Sequence, residues 1–119
     1  MRQTDEPREK LVRDHIPHII RKSGHPCALD SEYRKAAPEE MKDLLNLKLR
    51  EEADELLRAT TQQQALEELA DLYTVIESLA REHHLDMRQV RSEVVAKEKD
   101  KGAFWNRYVL FLNRSGEKL

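Results

Sequence analysis

From Pro38 onward the apolar positions recur every three to four residues in two long runs, which predicts two consecutive amphipathic helices. The first runs from Glu39 to about Arg58. Pro38 suits a first helical position, and Glu39 and Glu40 suit the positive end of a helix dipole. The second runs from Gln62 to His83 or His84, with Thr60 and Thr61 as candidate N-caps. A link as short as Ala59 to Gln62 predicts an antiparallel helix hairpin. Weaker units flank this hairpin. The stretch KLVRDHIPHIIRKSG, from Lys10 to Gly24, joins Leu11, Val12, Ile16, Ile19 and Ile20 to a Pro17 that opens a short helix and a Ser23-Gly24 stop. Asp86 is an N-cap candidate for a last helix through about Asp100, and Gly102 ends that pattern. Met1 to Glu9 reads as a mobile lead-in. His25 to Pro38 reads as a connector, with a helical turn at Ser31 to Lys35. Trp105 to Leu112 forms an apolar tail expected to pack on the bundle or on another subunit, and Arg107 to Leu112 is the one candidate strand. The expected class is all-α.

Four acids break the apolar stripes. With Glu52 as reference, Met41, Leu45, Leu49 and Leu56 fall within roughly 60° of it on a helical wheel, and Leu44 lies close to Glu55. On the second helix Leu72, Val75 and Leu79 fall within roughly 40° of Glu68, and Asp71 borders the same arc. Glu51, Asp54 and Glu67 turn outward. A lone i,i+3 acidic pair in a chain that is 37% charged is ordinarily a solvated face, its long side chains snorkelling to water. Two inward pairs on consecutive helices are different, because carboxylates that lose hydration and repel one another need a cation.

Composition narrows the setting. At 119 residues the length fits one domain, here residues 10–119, near the size at which helical bundles gain from dimerising. A net charge of -2 gives no footprint for a nucleic-acid or membrane-surface partner. The lone Cys27 excludes an intramolecular disulfide framework, no apolar run approaches a membrane span, and Met1 to Lys10 lacks the apolar core of a signal peptide. A cytoplasmic protein is the expectation.

The donor set selects the ion. Four carboxylates with no cysteine or histidine among them make a hard, all-oxygen site for Mg²⁺, with Mn²⁺ as the alternative. A di-iron bundle would need Glu-x-x-His elements, whereas His83 and His84 stand at the far helix end, where a C-terminal dipole favours imidazole. Mg²⁺ held by few protein ligands keeps positions for water and nucleotide phosphates, so phosphoanhydride hydrolysis is the expected reaction class. The scattered Gly24, Gly102 and Gly116 make no phosphate loop.

EEADE, twelve residues and ELAD, read as ExxE and ExxD, resemble the metal-binding motif of the MazG-like all-α nucleoside triphosphate pyrophosphohydrolases. KLVRDHIP and KGAFWNRYVL are similar to flanking signatures of the branch often labelled phosphoribosyl-ATP pyrophosphohydrolase-like, and the resemblance covers roughly Lys10 to Leu112. It implies a MazG-like helical bundle, a homodimer or homotetramer with active sites near subunit contacts, and α–β cleavage of a nucleoside triphosphate to monophosphate and pyrophosphate, often to remove unwanted nucleotides.

Carried onto this chain, the resemblance makes Glu52, Glu55, Glu68 and Asp71 the magnesium ligands, and one glutamate, from the catalytic candidates Glu52 and Glu55, the group that orients or deprotonates water. Lys10, Arg13 and Asp14 match the KLVRD signature, and Lys97, Lys101 and Arg107 offer cations near the C-terminal one; these substrate-binding candidates either bind the triphosphate or stand as surface charges. Lys48, one turn before Glu52, contacts phosphate or pairs with a carboxylate. Phe104, Trp105 and Tyr108 either stack on a base or anchor core or interface. True phosphoribosyl-ATP pyrophosphohydrolases differ in their glutamate-rich helix and lack the KLVRD opening, so a role in histidine biosynthesis stands as the enzymatic alternative. The other alternative is a non-catalytic helical oligomerisation module.

Overall fold

The computed structural model describes residues 9–23 and 33–118, and the ordered elements among them are helical. They are α1 (Ile16–Ser23), a 3₁₀ turn (Pro38–Glu40), α2 (Met41–Arg58), α3 (Gln62–Glu82) and α4 (Met87–Lys101). The chain is all-α, as the periodicity predicts. The lead-in up to residue 8, the stop at Gly24, Cys27 and the start of the 31–35 turn lie outside the described residues. Residues 33–35 are not helical.

Chain contacts divide the protein into two compact units, Met1–Leu85 and Asp86–Leu119. The division falls inside the stretch that the sequence treats as one domain. In the first unit the main helix pairing is α2 against α3, joined by Ala59, Thr60 and Thr61. Local chemistry fixes both ends of α3. The Thr61 hydroxyl accepts from the Gln64 N–H at 3.1 Å, while the Gln64 side chain accepts from the Thr60 N–H at 2.9 Å. At the other end His84 adopts a left-handed φ of 60°, and the Leu85 N–H donates back to the Ala80 carbonyl at 2.8 Å. That six-to-one bond is a Schellman closure built on histidine instead of glycine.

The apolar interior of this unit is thin. Leu45, at 2% exposure, Val75 and Ala80 are its buried hydrophobic residues among those described. Met41, Leu44, Leu49, Leu56, Leu72 and Leu79, the other residues of the two predicted arcs, are half-buried. Ahead of α2, Arg34 donates to both Glu9 and Glu40, and Glu40 also accepts from the Ala37 N–H at 2.7 Å. The Arg34 guanidinium, with that N–H, holds the Glu40 carboxyl down to about 2. This clip ties residue 9 to the start of the hairpin.

In the second unit α4 opens with a capping box, Asp86 accepting from the Gln89 N–H at 3.0 Å and the Gln89 side chain accepting from the Asp86 N–H at 2.9 Å. Gly102, at φ 83°, ends it. The candidate strand at 107–112 does not form. Leu112 makes only an isolated antiparallel bridge with Lys118, since a lone extended segment has no neighbouring strand to complete a ladder. The side chains of 104–112 are exposed in the structure.

Leu45→Ala should lower the unfolding free energy by about 2–3 kcal/mol, because the side chain leaves a cavity at the most enclosed point of the hairpin. Thr61→Ala should cost about 1 kcal/mol through its cap. Urea titrations followed by circular dichroism at 222 nm compare the two, and equal effects would contradict the placement of the core at Leu45.

Candidate active site

The hairpin brings three of the four predicted acids together. One carboxylate oxygen from each of Glu52, Glu55 and Glu68 lies within 4.8 Å of the other two. The i,i+3 spacing stacks Glu52 and Glu55 on one side of α2, and the α2–α3 pairing presents Glu68 to them. Glu52 is the most deeply placed, at 5% exposure, and is the buried charged residue of the described chain. Its Oε1 lies 3.5 Å from Lys48 Nζ, whereas its Oε2 is buried with no protein partner. Glu68 Oε2 is buried and unpartnered too.

Such an arrangement is electrostatically unfavourable by itself. The Glu68 carboxyl is pushed up to about 7, first by the Glu52 carboxylate that converges on it, then by burial, then by Glu55 beside it. A shared proton or a cation turns the repulsion into attraction. The oxygen-only donors and the two orphaned buried oxygens fit a hard divalent ion.

Asp71 is placed differently from the other three. Its Oδ1 accepts from Arg13 Nη2 at 2.7 Å, and the same guanidinium donates to the Thr74 hydroxyl at 3.2 Å. Asp71 thus pairs with the segment that precedes α1 and is not among the three acids that converge. Thr74 enters this arrangement without having been singled out in the sequence, although its i,i+3 spacing from Asp71 marks it as a neighbour on the same face. Lys10 lies 3.4 Å from Glu51, and Lys48 also reaches Glu51 at 3.4 Å. Glu51, expected to face water, is therefore a partly enclosed bridge between two lysines, while Asp54 and Glu67 are exposed as expected.

A cavity of about 420 Å³ opens beside the acids. Arg13 and Asp14 from the segment before α1, Lys48 and Glu52 from α2, and Asp71 from α3 stand on its wall. Glu52 alone of the three converging glutamates lines it. Lys97, Lys101 and Trp105 belong to the second unit, where Trp105 is 88% exposed and shares a hollow with Lys101, Phe104, Arg107 and Tyr108.

No protein family matches this chain, and no curated protein or solved structure is detectably similar to it. The chemistry of the site therefore rests on its own residues.

A carboxyl raised in the folded state contributes stability that is complete below its unfolded value of 4.5 and is lost as pH rises through about 7. The metal-free protein should therefore melt lower at about pH 8 than at about pH 5.5, with Glu68→Gln removing much of the difference. Mg²⁺ should raise the melting temperature more at the higher pH, because binding must displace the proton at the lower one. Calorimetric scans with Mg²⁺ and with EDTA check both statements. A Mg²⁺ effect equal at the two pH values would separate Glu68 from the cation.

Proposed function

We propose that the chain is a Mg²⁺-dependent, MazG-like nucleoside triphosphate pyrophosphohydrolase, with Mn²⁺ as a substitute ion. It cleaves the α–β phosphoanhydride of a ribo- or deoxyribonucleotide to the monophosphate and pyrophosphate, clearing unwanted nucleotides in the cytoplasm. The observation that carries this reading is the convergence of Glu52, Glu55 and Glu68 with two buried, unpartnered carboxylate oxygens. Acids merely decorating a soluble surface would be solvated and apart.

Glu52, Glu55 and Glu68 would hold the ion, which when bound neutralises charge on the phosphate chain. Glu52 and Glu55 differ in what surrounds them. Glu52 is locked by burial and by Lys48, which suits a ligand of fixed position. Glu55 is less enclosed and suits orienting a water and taking its proton. In the reaction a water oxygen forms a bond to phosphorus of the α–β anhydride, the bridging P–O bond breaks, and the proton lost by water passes to the glutamate. Lys48 compensates Glu52 in the resting site. Asp71 anchors Arg13, which holds the segment before α1 against the hairpin.

The oligomer that this reading includes is supported by α3 itself. Leu66, at 60% exposure, Leu69, Tyr73 and Ile76 recur at helical spacing and are open to solvent. A stripe of this kind on a hairpin with so small an interior is suited to another copy of the chain, giving a dimer or tetramer.

Pyrophosphate and orthophosphate release from a panel of ribo- and deoxyribonucleoside triphosphates tests the assignment. Release of pyrophosphate should require Mg²⁺ or Mn²⁺ and fall at least about 100-fold in Glu52→Gln and Glu55→Gln, with helical content kept. Asp71→Asn should cost less, about tenfold, because it acts by loosening Arg13. Metal binding with no turnover of any triphosphate would favour the oligomerisation module, and a loss in Asp71→Asn equal to that in Glu52→Gln would return Asp71 to the ligand set.

A further inference from the structure

The cavity beside Glu52 is unsuited to a phosphate chain. Three cations, Arg13, Lys48 and Arg81, stand on its wall against four carboxylates, Asp14, Glu52, Asp71 and Glu82. Arg13 is held by Asp71 at 2.7 Å, and Lys48 lies 3.5 Å from Glu52 and 3.4 Å from Glu51. Two of the three cations are thus already compensated, so the wall itself attracts a polyanion little, and the ion that would do so belongs to the glutamates at its edge.

The rest of the wall suits a flat, weakly polar body. Leu11, Val12, Met41, Leu45 and Val75 supply aliphatic surface. Two hydroxyls on the wall are turned inward to their own helix, Thr74 donating to the Ala70 carbonyl and Ser78 to the Thr74 carbonyl, both at 3.1 Å. Among the described residues the side chains of Asp14, Arg81 and Glu82 make no ion pair or hydrogen bond, so donors and acceptors both remain free to meet a ligand. The volume of about 420 Å³ lies within the range of small-molecule pockets.

We infer that this cavity holds the nucleoside end of the substrate, with Asp14, Arg81 and Glu82 reading the edge of the base. The inference rests on the hydrolase reading for what lies next to it. Glu52 is the hinge of the argument, since it belongs both to the converging glutamates and to the cavity wall. The phosphates stay with the ion at Glu52, Glu55 and Glu68, and the sugar and base extend past Glu52 between Leu11, Met41 and Val75. Aliphatic side chains thus enclose the ring, in place of Phe104, Trp105 or Tyr108. A free arginine beside free carboxylates discriminates bases by leaving its own groups unpaired when the wrong edge is presented.

Titrations of the full chain with AMP, CMP, GMP and UMP, followed by amide chemical shifts in the presence of Mg²⁺, test the inference without needing turnover, and Mg²⁺-pyrophosphate serves as the probe that lacks a nucleoside. Shifts from the monophosphates should centre on Val12, Val75 and Ser78. Ser78→Phe, which fills the cavity, should weaken monophosphate binding at least about tenfold and leave Mg²⁺-pyrophosphate binding unchanged. Arg81→Ala sits at an exposed position on the last turn of α3 and disturbs folding little, so it covers the case in which Ser78→Phe does not fold. It should change the ranking of the four monophosphates by about fivefold or more. Shifts centred on Phe104 to Tyr108, or a folded Ser78→Phe with undiminished affinity, would overturn the inference. So would Mg²⁺-pyrophosphate binding with no monophosphate binding at all. Monophosphates seated in the cavity of a chain that hydrolyses no triphosphate would uphold this pocket and refute the hydrolase.

Discussion

Repulsion among the carboxylates of Glu52, Glu55 and Glu68 is the constraint to which the rest of the first unit answers. A hairpin with so few buried apolar side chains has little stability to spare, yet it carries three acids at its inner face. Several features hold the helices in place against that cost. The link of Ala59 to Thr61 is short, α3 is capped at Thr61 and closed at His84, and Lys48 reaches toward Glu52 from one turn away. A proton shared among these carboxylates, or the divalent cation proposed above, would relieve this repulsion.

The basic residues of this unit form a second pattern. Lys10 and Lys48 converge on Glu51, Lys48 also approaches Glu52, and Arg13 bridges Asp71 and Thr74. The Lys10 and Arg13 pairs sit at the rim, where solvent limits what each contributes to stability, while Lys48 faces the buried Glu52. Their consequence is positional. They join the segment before α1 to both long helices, and so build the far wall of a cavity from a stretch with little helix of its own. They also spend charges that a composition-level reading would leave available for phosphate.

What the residues announce, and what they conceal, divides by range. The α2 and α3 boundaries are legible to within a turn because local rules decide them: Pro38 with Glu39 and Glu40 at one start, where a 3₁₀ turn precedes the α-helix at Met41, Thr61 at the other, and Asp86 for α4. The meeting of Glu52, Glu55 and Glu68 is legible for the same reason, since a helical wheel and a short link determine it. Asp71 is the informative exception. It falls on the border of the right arc, but its partner Arg13 lies 58 residues away, and no periodicity within α3 carries that information. The cavity is hidden likewise, because Leu11, Met41 and Val75 become neighbours only in three dimensions. The apparent strand at 107–112 shows the converse error, a β-favouring composition with no second strand to pair.

All three glutamates lie in one uninterrupted stretch of chain, from Glu52 to Glu68, spanning a single tight link. Contacts of such short sequence separation form early in folding, so the repulsion is met on the way to the transition state and not only in the finished protein. A cation available at that moment would act on the folding rate more than on the unfolding rate. During synthesis, a nascent chain possesses the complete set of converging acids before α4 has been made. The hairpin then carries its full set of mutually repelling carboxylates while the second unit is still unmade.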